Sequence, residues 1–421
     1  MYGPKASSGR AFPFPFSWQE GQKEFLGEIH KELDGYVHVT KKQIDALANR
    51  LSAADDAFCH FRIVYIRGGS VYFDSRQLEK CEQTGKLTLL DKHLRSVLHH
   101  ARKMEISVSD VYFMFSTSAD GMHDNLDFTP PPSNIFNTIP VFVIAKRKPE
   151  DPGVRVPNMY FGDIQWSWAR NTKTVLDVSK SRKWQSRKSA AYWRGNCGHL
   201  REPSWPRVQV SELALDKNNS IDAALTEPIK FSLKGLDPRE IIKLRMLPTV
   251  PRNNQLVLST YKYLLNMPGS ATGSYSKNLQ VLWPHGSVVL MWETKAQEFY
   301  YDKLVPGVTH LVVNNNTVID TLRWLQEHDD EAQTIAAAGL RVFQHYLSPD
   351  ALTVYWCLAL EAYTKKLELP YELPDDACTC EKTPFLERQK CPFCEDWITE
   401  KSKNTQALNS YLFFHGAPEH M

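Results

Sequence analysis

The stretch Ser189–Arg207, SAAYWRGNCGHLREPSWPR, decides how the second half of the chain is read. Ala190–Arg194 is a short apolar run closing on Trp193-Arg194-Gly195, the pattern of a buried strand. A polar, glycine-containing loop follows, carrying Asn196, Arg201 and Arg207. Loop amides and fixed guanidinium groups together suit an anion. Hydrogen bonds to a charged partner contribute about 1.5–3 kcal/mol each. A diphosphate taking several of them approaches the roughly 8 kcal/mol of a micromolar complex. Alone, the same residues also fit an exposed loop with solvated arginines.

The next strand candidate downstream enters a loop of the same kind. In Tyr261–Leu282, YKYLLNMPGSATGSYSKNLQVL, a β-rich run meets Pro268-Gly269, then small residues through Ser276, then Lys277 and a helix. Small residues let backbone approach a ligand closely. Neither GxxxxGK[ST] nor GxGxxG is present, so neither a Walker loop nor a dinucleotide fingerprint is expected. Beyond it, Gly286–Trp292 (GSVVLMW) reads as a strand, followed by WETKAQEFYYDKL with Glu293 and Glu298. A carboxylate after such a strand is placed to accept ribose hydroxyls. Thr309–Asn314 is another strand candidate, and Thr317 with Asp320 predicts a capping box opening a helix. That helix is expected to break near Asp329-Asp330, and Ser348-Pro349 to start another running to about Lys366.

The first half shows strands as well. HFRIVYIRGGSVYFD (His60–Asp74) has two β-rich runs around Gly68-Gly69, a hairpin signal. A basic helix is expected over 87–104. VYFMFST (Val111–Thr117) and IPVFVIAK (Ile139–Lys146) are short apolar runs separated by a loop with Gly121 and three prolines. Upstream, Trp18, Phe25, Ile29 and Leu33 recur at helical spacing. Alternation in two halves implies two α/β domains facing across a cleft.

Composition narrows the function. Fifty basic against 48 acidic side chains leave a net charge of +2, too little for a general field that grips nucleic acid or a membrane surface. No apolar run is long enough to span a bilayer. Residues 1–16 lack the apolar core of a signal peptide. The eight cysteines, an even number, and the acceptor patterns Asn218-Asn219-Ser220 and Asn315-Asn316-Thr317 instead point to the lumen of the endoplasmic reticulum or Golgi, with any leader or anchor outside these residues.

AYWRGN (Ala191–Asn196), YKYLLNMPG (Tyr261–Gly269), GSVVLMW…EFYYDKL (Gly286–Leu304) and YWCLALEAY (Tyr355–Tyr363) occur in this order. Together they resemble glycosyltransferase family 90, which includes capsule-associated xylosyltransferases and Rumi-type protein O-glucosyltransferases. The resemblance covers about residues 115–363. It implies a GT-B fold, two Rossmann-like domains with the active site between them. It also implies inverting transfer from UDP-glucose or UDP-xylose to a protein or glycan hydroxyl, with no cofactor and no catalytic metal.

By the family pattern, Asn196 and Arg207 face the diphosphate, while Ser270, Ala271, Thr272, Gly273 and Ser274 line the donor pocket. Glu298 holds the Glu-Phe-Tyr position. Asp120, after the strand Val111–Thr117, is the expected catalytic base, with His123 and Asp124 in reserve. Rumi-type members carry serine where Asn196 stands and arginine where Tyr275 stands; Lys277 is the neighbouring cation. That departure keeps a second reading open, a UDP-sugar-binding or glycan-binding relative with weak or no turnover.

The expected organisation is an arm and helix (1–60), an acceptor-side α/β domain (61–185), a UDP-sugar-binding domain (186–347), a helix (348–369) packing back on the first domain, and a cysteine-bearing extension (370–421). In that extension Cys378, Cys380, Cys391 and Cys394 suit either a tetrahedral zinc or two disulfides; an oxidising compartment favours disulfides. A zinc-dependent interaction protein is the third reading.

Overall fold

The computed structural model describes residues 16–53, 61–74, 84–117, 139–162, 168–197, 205–228, 237–251, 254–269, 278–374 and 377. The chain divides into two compact units, each built on a five-stranded sheet. No helix among the described residues is long and apolar enough to cross a membrane.

The first unit gathers Gln22–Ile144, Pro152–Trp168 and the chain from Thr353. Its strands are β1 (Phe61–Arg67), β2 (Ser70–Phe73), β3 (Val111–Ser116), β4 (Phe142–Val143) and β5 (Val154–Arg155), in the order β2-β1-β3-β4-β5. The hairpin forms where Gly68-Gly69 predicts it; both glycines take positive φ (55° and 72°), which L side chains rarely adopt. β1 is antiparallel to β2 and β3, whereas β3, β4 and β5 run parallel, so the sheet is mixed. The run Ile139–Lys146 yields only the two-residue β4, although Val141–Ala145 is wholly buried.

Helices α1 (Trp18–Leu33, in this unit from Gln22), α2 (Lys41–Ala53) and α3 (Thr84–Lys103) lie in sequence with this sheet. The helix that begins at Pro349 enters the unit at Thr353 and brings Trp356 and Tyr363 against Phe113 and Phe142. The Trp356 indole N–H donates to His93 Nε2 at 2.8 Å, which requires a neutral imidazole there.

The second unit contains β6 (Lys188–Gly195), β7 (Ile221–Leu225), β8 (Tyr261–Asn266), β9 (Val288–Trp292) and β10 (Leu311–Val313), all parallel, in the order β10-β9-β8-β6-β7. Numbered within the unit this is 2-1-3-4-5, a doubly wound sheet whose chain reverses direction between β6 and β8. Described helices of this unit are α4 (Trp168–Ser181), α5 (Trp205–Leu213), α6 (Pro238–Met246), the single turn α7 (Leu279–Leu282), α8 (Val318–Glu327) and α9 (Asp329–Val342); α10 (Pro349–Thr364) starts here and passes into the first unit. One face of the sheet, from Ala191 and Trp193 through Tyr263 and Leu265 to Leu290 and Trp292, packs on Val208, Leu322, Ile335 and Ala336 of the helices.

The capping box expected of Thr317 and Asp320 does not form. Thr317 makes no side-chain cap bond; its hydroxyl donates instead to Asn314 Oδ1, which also accepts from the amides of Asn316 and Thr317. An Asx turn at Asn314 takes the Thr317 amide, one of the two donors a capping box would satisfy. The break at Asp329 and the Ser348 cap do form; Ser348 Oγ accepts from the Ala351 amide at 3.2 Å.

At the amino-terminal end of this sheet, Arg187 is buried with no carboxylate partner among the described residues. Its Nη1 donates to the carbonyls of His285 (2.9 Å) and Gly286 (2.7 Å) and to Ser287 Oγ, and its Nη2 to the Ser179 carbonyl. The bridge joins α4, the entry to β6 and the entry to β9.

Burial holds the pKa of His93 and His285 down to about 3, and that of His310 to about 4. Their unfolded value is near 6.5, so the stability tied to keeping them neutral is complete above that pH and is lost as pH falls toward 3–4. Each contributes a slope of about 1.4 kcal/mol per pH unit. Urea unfolding followed from pH 7 to pH 4.5 should show falling stability, and His93→Gln should flatten the dependence of the first unit.

Candidate functional site

Open α/β sheets hold ligands outside the carboxyl ends of their strands, where the order reverses. In the second unit that point lies between β6 and β8. The loops leaving these two strands begin at Asn196 and Met267, inside the two segments singled out from the sequence.

Arg207, on the first turns of α5, ties those loops together. Its Nε (3.0 Å) and Nη2 (2.6 Å) donate to the Pro268 carbonyl after β8. Its Nη1 donates to the Asn196 carbonyl (2.9 Å) and to Asn196 Oδ1 (3.1 Å) after β6. The side chain is 9% exposed, and burial draws its pKa down to about 10, so it stays cationic at neutral pH. All of the acceptors just named are neutral, and therefore none cancels the charge.

The motif AYWRGN builds the seat for this guanidinium. Trp193 turns its indole back over Gly195: a Cβ on Gly195 would stand 2.5 Å from the ring, so only glycine fits. The indole then lies under Arg207, with 6.0 Å from the guanidinium carbon to the ring centroid. Cys197, a buried free thiol, lines the same loop; burial raises its pKa and the Arg207 cation opposes the rise.

Asn196 and Arg207 are thus brought together. Their part differs in form from the expected open anion ligands: four of the five guanidinium N–H groups are spent on loop carbonyls and Asn196. Glu298 sits in the loop after β9, 1% exposed, and its charge adds to burial in pushing the Tyr300 hydroxyl well above its usual pKa. Glu293 is tied at its surface to Asn314 Nδ2 at 3.1 Å. Ser270, Ala271, Thr272, Gly273, Ser274, Tyr275 and Lys277 lie outside the described residues, as do Asp120, Arg201 and the cysteines Cys378, Cys380, Cys391 and Cys394.

Several residues of these strands were not legible as a site. On β6, Arg194 pairs with Asp222 of β7, and Tyr261 donates its hydroxyl to the same carboxylate. The ion pair and hydroxyl hold the Asp222 pKa below the usual carboxylate range against the larger opposing effect of burial. In the first unit, Arg62 stands opposite Phe115 near the carboxyl end of β3. It is 2% exposed, donates to the Phe61 carbonyl, and has no carboxylate partner among the described residues. An arginine within a β-rich run reads as solvent-facing, and only the packed sheet shows it as buried.

The second unit is thus a parallel, doubly wound α/β sheet with a buried cation fixed at its reversal point, the end at which such sheets hold ligands. The chain belongs to glycosyl transferase family 90, whose model matches residues 22–405. It is similar to protein O-glucosyltransferase 1 of Rattus norvegicus, 26% identical over 255 residues covering 57% of this chain and 61% of that protein. It is also similar to protein O-glucosyltransferase 2 of Danio rerio, 25% identical over 188 residues, 43% of this chain and 34% of the relative. The chain thus spans from about a third to three fifths of the length of these relatives. Among solved structures, a glycosyltransferase from Rickettsia africae aligns with a TM-score of 0.36 at 10% identity, covering 66% of this chain and 82% of that one.

Because one planar fork serves both loops, lysine cannot replace it. Arg207→Lys should therefore lower stability by about 2–4 kcal/mol, with buried carbonyls left unpaired. Thermal or urea melts of the purified variant measure this.

Proposed function

We propose that this chain is an inverting, metal-independent glycosyltransferase that moves glucose or xylose from a UDP-sugar to a hydroxyl of a protein or glycan. The observation that carries the reading is the Arg207 clamp: a cation held by neutral acceptors at the reversal point of a parallel sheet. The names of the relatives, protein O-glucosyltransferases, supply the acceptor class and favour glucose.

The reaction forms a bond from the acceptor oxygen to the anomeric carbon while the bond from that carbon to the diphosphate oxygen breaks. The acceptor proton goes to a base and the electron pair leaves with UDP. Attack on the face opposite the leaving group inverts the centre, through an oxocarbenium-like transition state. Arg207 contributes a fixed positive charge toward the departing diphosphate, organised before the reaction begins. Asp120, after β3, is the proposed base. Glu298 is proposed to accept ribose hydroxyls, and residues 270–274 with Lys277 to line the donor pocket.

The proposed compartment is the secretory lumen. Asn218 and Asn315, the asparagines of the two acceptor patterns, are both exposed and so open to glycan attachment. Expression through a secretory pathway should give a protein whose mobility on a gel increases after N-glycosidase treatment; unchanged mobility would count against this location.

Release of UDP, followed across a panel of nucleotide sugars, should be fastest with UDP-glucose or UDP-xylose and should persist in excess chelator. Asp120→Asn should slow transfer by about a hundredfold or more while UDP affinity by calorimetry stays within about twofold of the parent. UDP binding without turnover would identify a binding relative instead.

A further inference from the structure

β8 ends on Asn266, and its side chain is anomalous. It is 2% exposed, yet Oδ1 meets no donor and the amide makes no hydrogen bond among the described residues. Other polar groups on and beside the strand are paired. Two residues on, the Pro268 carbonyl is held twice by Arg207. At the start of the same strand, Lys262 is paired with Asp329 at 2.7 Å. A leucine of similar size would fill the position without an unpaired amide, so the amide is costly to the unliganded protein and calls for a partner from outside.

Position defines the partner. Asn266 faces Met291 across β9 and shares a sheet face with Leu264, whose neighbour on β6 is Tyr192. It therefore lies on the face opposite the helix-packed core, at the strand end next to the reversal point. Two strands away, beyond β6, Thr226 follows β7, anchored by its amide to the Gly195 carbonyl at 2.9 Å, and its hydroxyl is also buried without a partner among the described residues. An amide offers two donors and an acceptor. Phosphate oxygens chiefly serve the two amide donors, and a hydroxyl serves Oδ1. A nucleoside diphosphate brings both kinds, phosphate oxygens and ribose hydroxyls.

We propose that the Asn266 side-chain amide is a ligand of the nucleoside diphosphate, donating through Nδ2 to a phosphate oxygen and accepting a ribose hydroxyl at Oδ1. The assignment rests on the UDP-sugar reading and adds to it a binding residue buried in the last position of a strand.

Calorimetry with UDP and with inorganic pyrophosphate, on the parent protein and on Asn266→Leu, tests it. The expected result is UDP binding weakened about tenfold or more in the leucine variant. Pyrophosphate, which has no ribose, should lose less. The unliganded variant should melt no lower than the parent, because an unpaired amide has been removed. Asn266→Asp should bind UDP more weakly still, since its negative charge faces the diphosphate. If leucine prevents folding, Asn266→Ala serves the same comparison. Parent-like UDP affinity in the leucine or alanine variant overturns the assignment and leaves a residue that holds at most a water, with the UDP reading intact. A parent protein that binds no UDP overturns both.

Discussion

One guanidinium joins the two loops on which the second unit's ligand end depends. Arg207 reaches the Asn196 carbonyl and side chain on one side and the Pro268 carbonyl on the other, so the exits of β6 and β8 cannot move independently. The constraint propagates backward into the sequence. The cation needs a flat support, which Trp193 supplies; the indole needs space above the backbone, which Gly195 leaves by having no Cβ. Two of the three positions of the motif WRG are thus explained by one packing problem: Trp193 and Gly195 face the clamp, while Arg194 points to the other face and pairs with Asp222.

What pairs with a buried arginine decides what it can do. A carboxylate would satisfy the donors and cancel the charge together. Carbonyl and amide oxygens satisfy the donors and leave the charge, because a dipole does not neutralise an ion. Arg187 at the amino-terminal end of the sheet is built in the same way, on the carbonyls of Ser179, His285 and Gly286. The two ends nonetheless differ in consequence. Arg187 is enclosed by chain entering the strands and acts as a structural tie. Arg207 stands where the chain leaves the strands, where loop amides and the reversal point favour an anion. Incomplete neutralisation therefore leaves a positive charge at the end where such sheets hold ligands, and at the other end only a structural tie.

The second unit was largely legible in its sequence, and the reason is geometric. Parallel strands buried on both faces must be short apolar runs, and the runs at 190–194, from 261 and at 286–292 stand out between breakers, whereas β7 (Ile221–Leu225) was not read as a strand. The first unit was less legible. Ile139–Lys146 reads as a full strand, yet only Phe142 and Val143 pair, because burial alone does not reveal how many residues find ladder partners. The antiparallel pairing of β3 with β1 depends on which strands become neighbours, which no local pattern encodes. At the site, Arg207 stood out as a cation following the loop after a strand, and Asn196 came through the family resemblance. Asn266 was not: an asparagine closing an apolar run looks like the first residue of a turn, and only burial without a partner sets it apart.

The same contrast explains why polar residues at strand ends deserve different weight from those in loops. A loop side chain can turn to water when its ligand is absent, so its presence costs the empty protein little and says little. A side chain on the last rung of a buried strand has no such escape. Asn266 on β8, and Arg62 on β1 beside the end of β3, are both nearly inaccessible and both under-partnered among the described residues. Arg62 holds one backbone carbonyl and no counter-charge, so it raises the local potential where β3 ends, the strand that precedes the proposed base. Burying such a group carries a desolvation cost that its few hydrogen bonds only partly offset. Asn266 stands at the carboxyl end of its strand and Arg62 beside the carboxyl end of β3, the positions that an α/β sheet offers to its ligands.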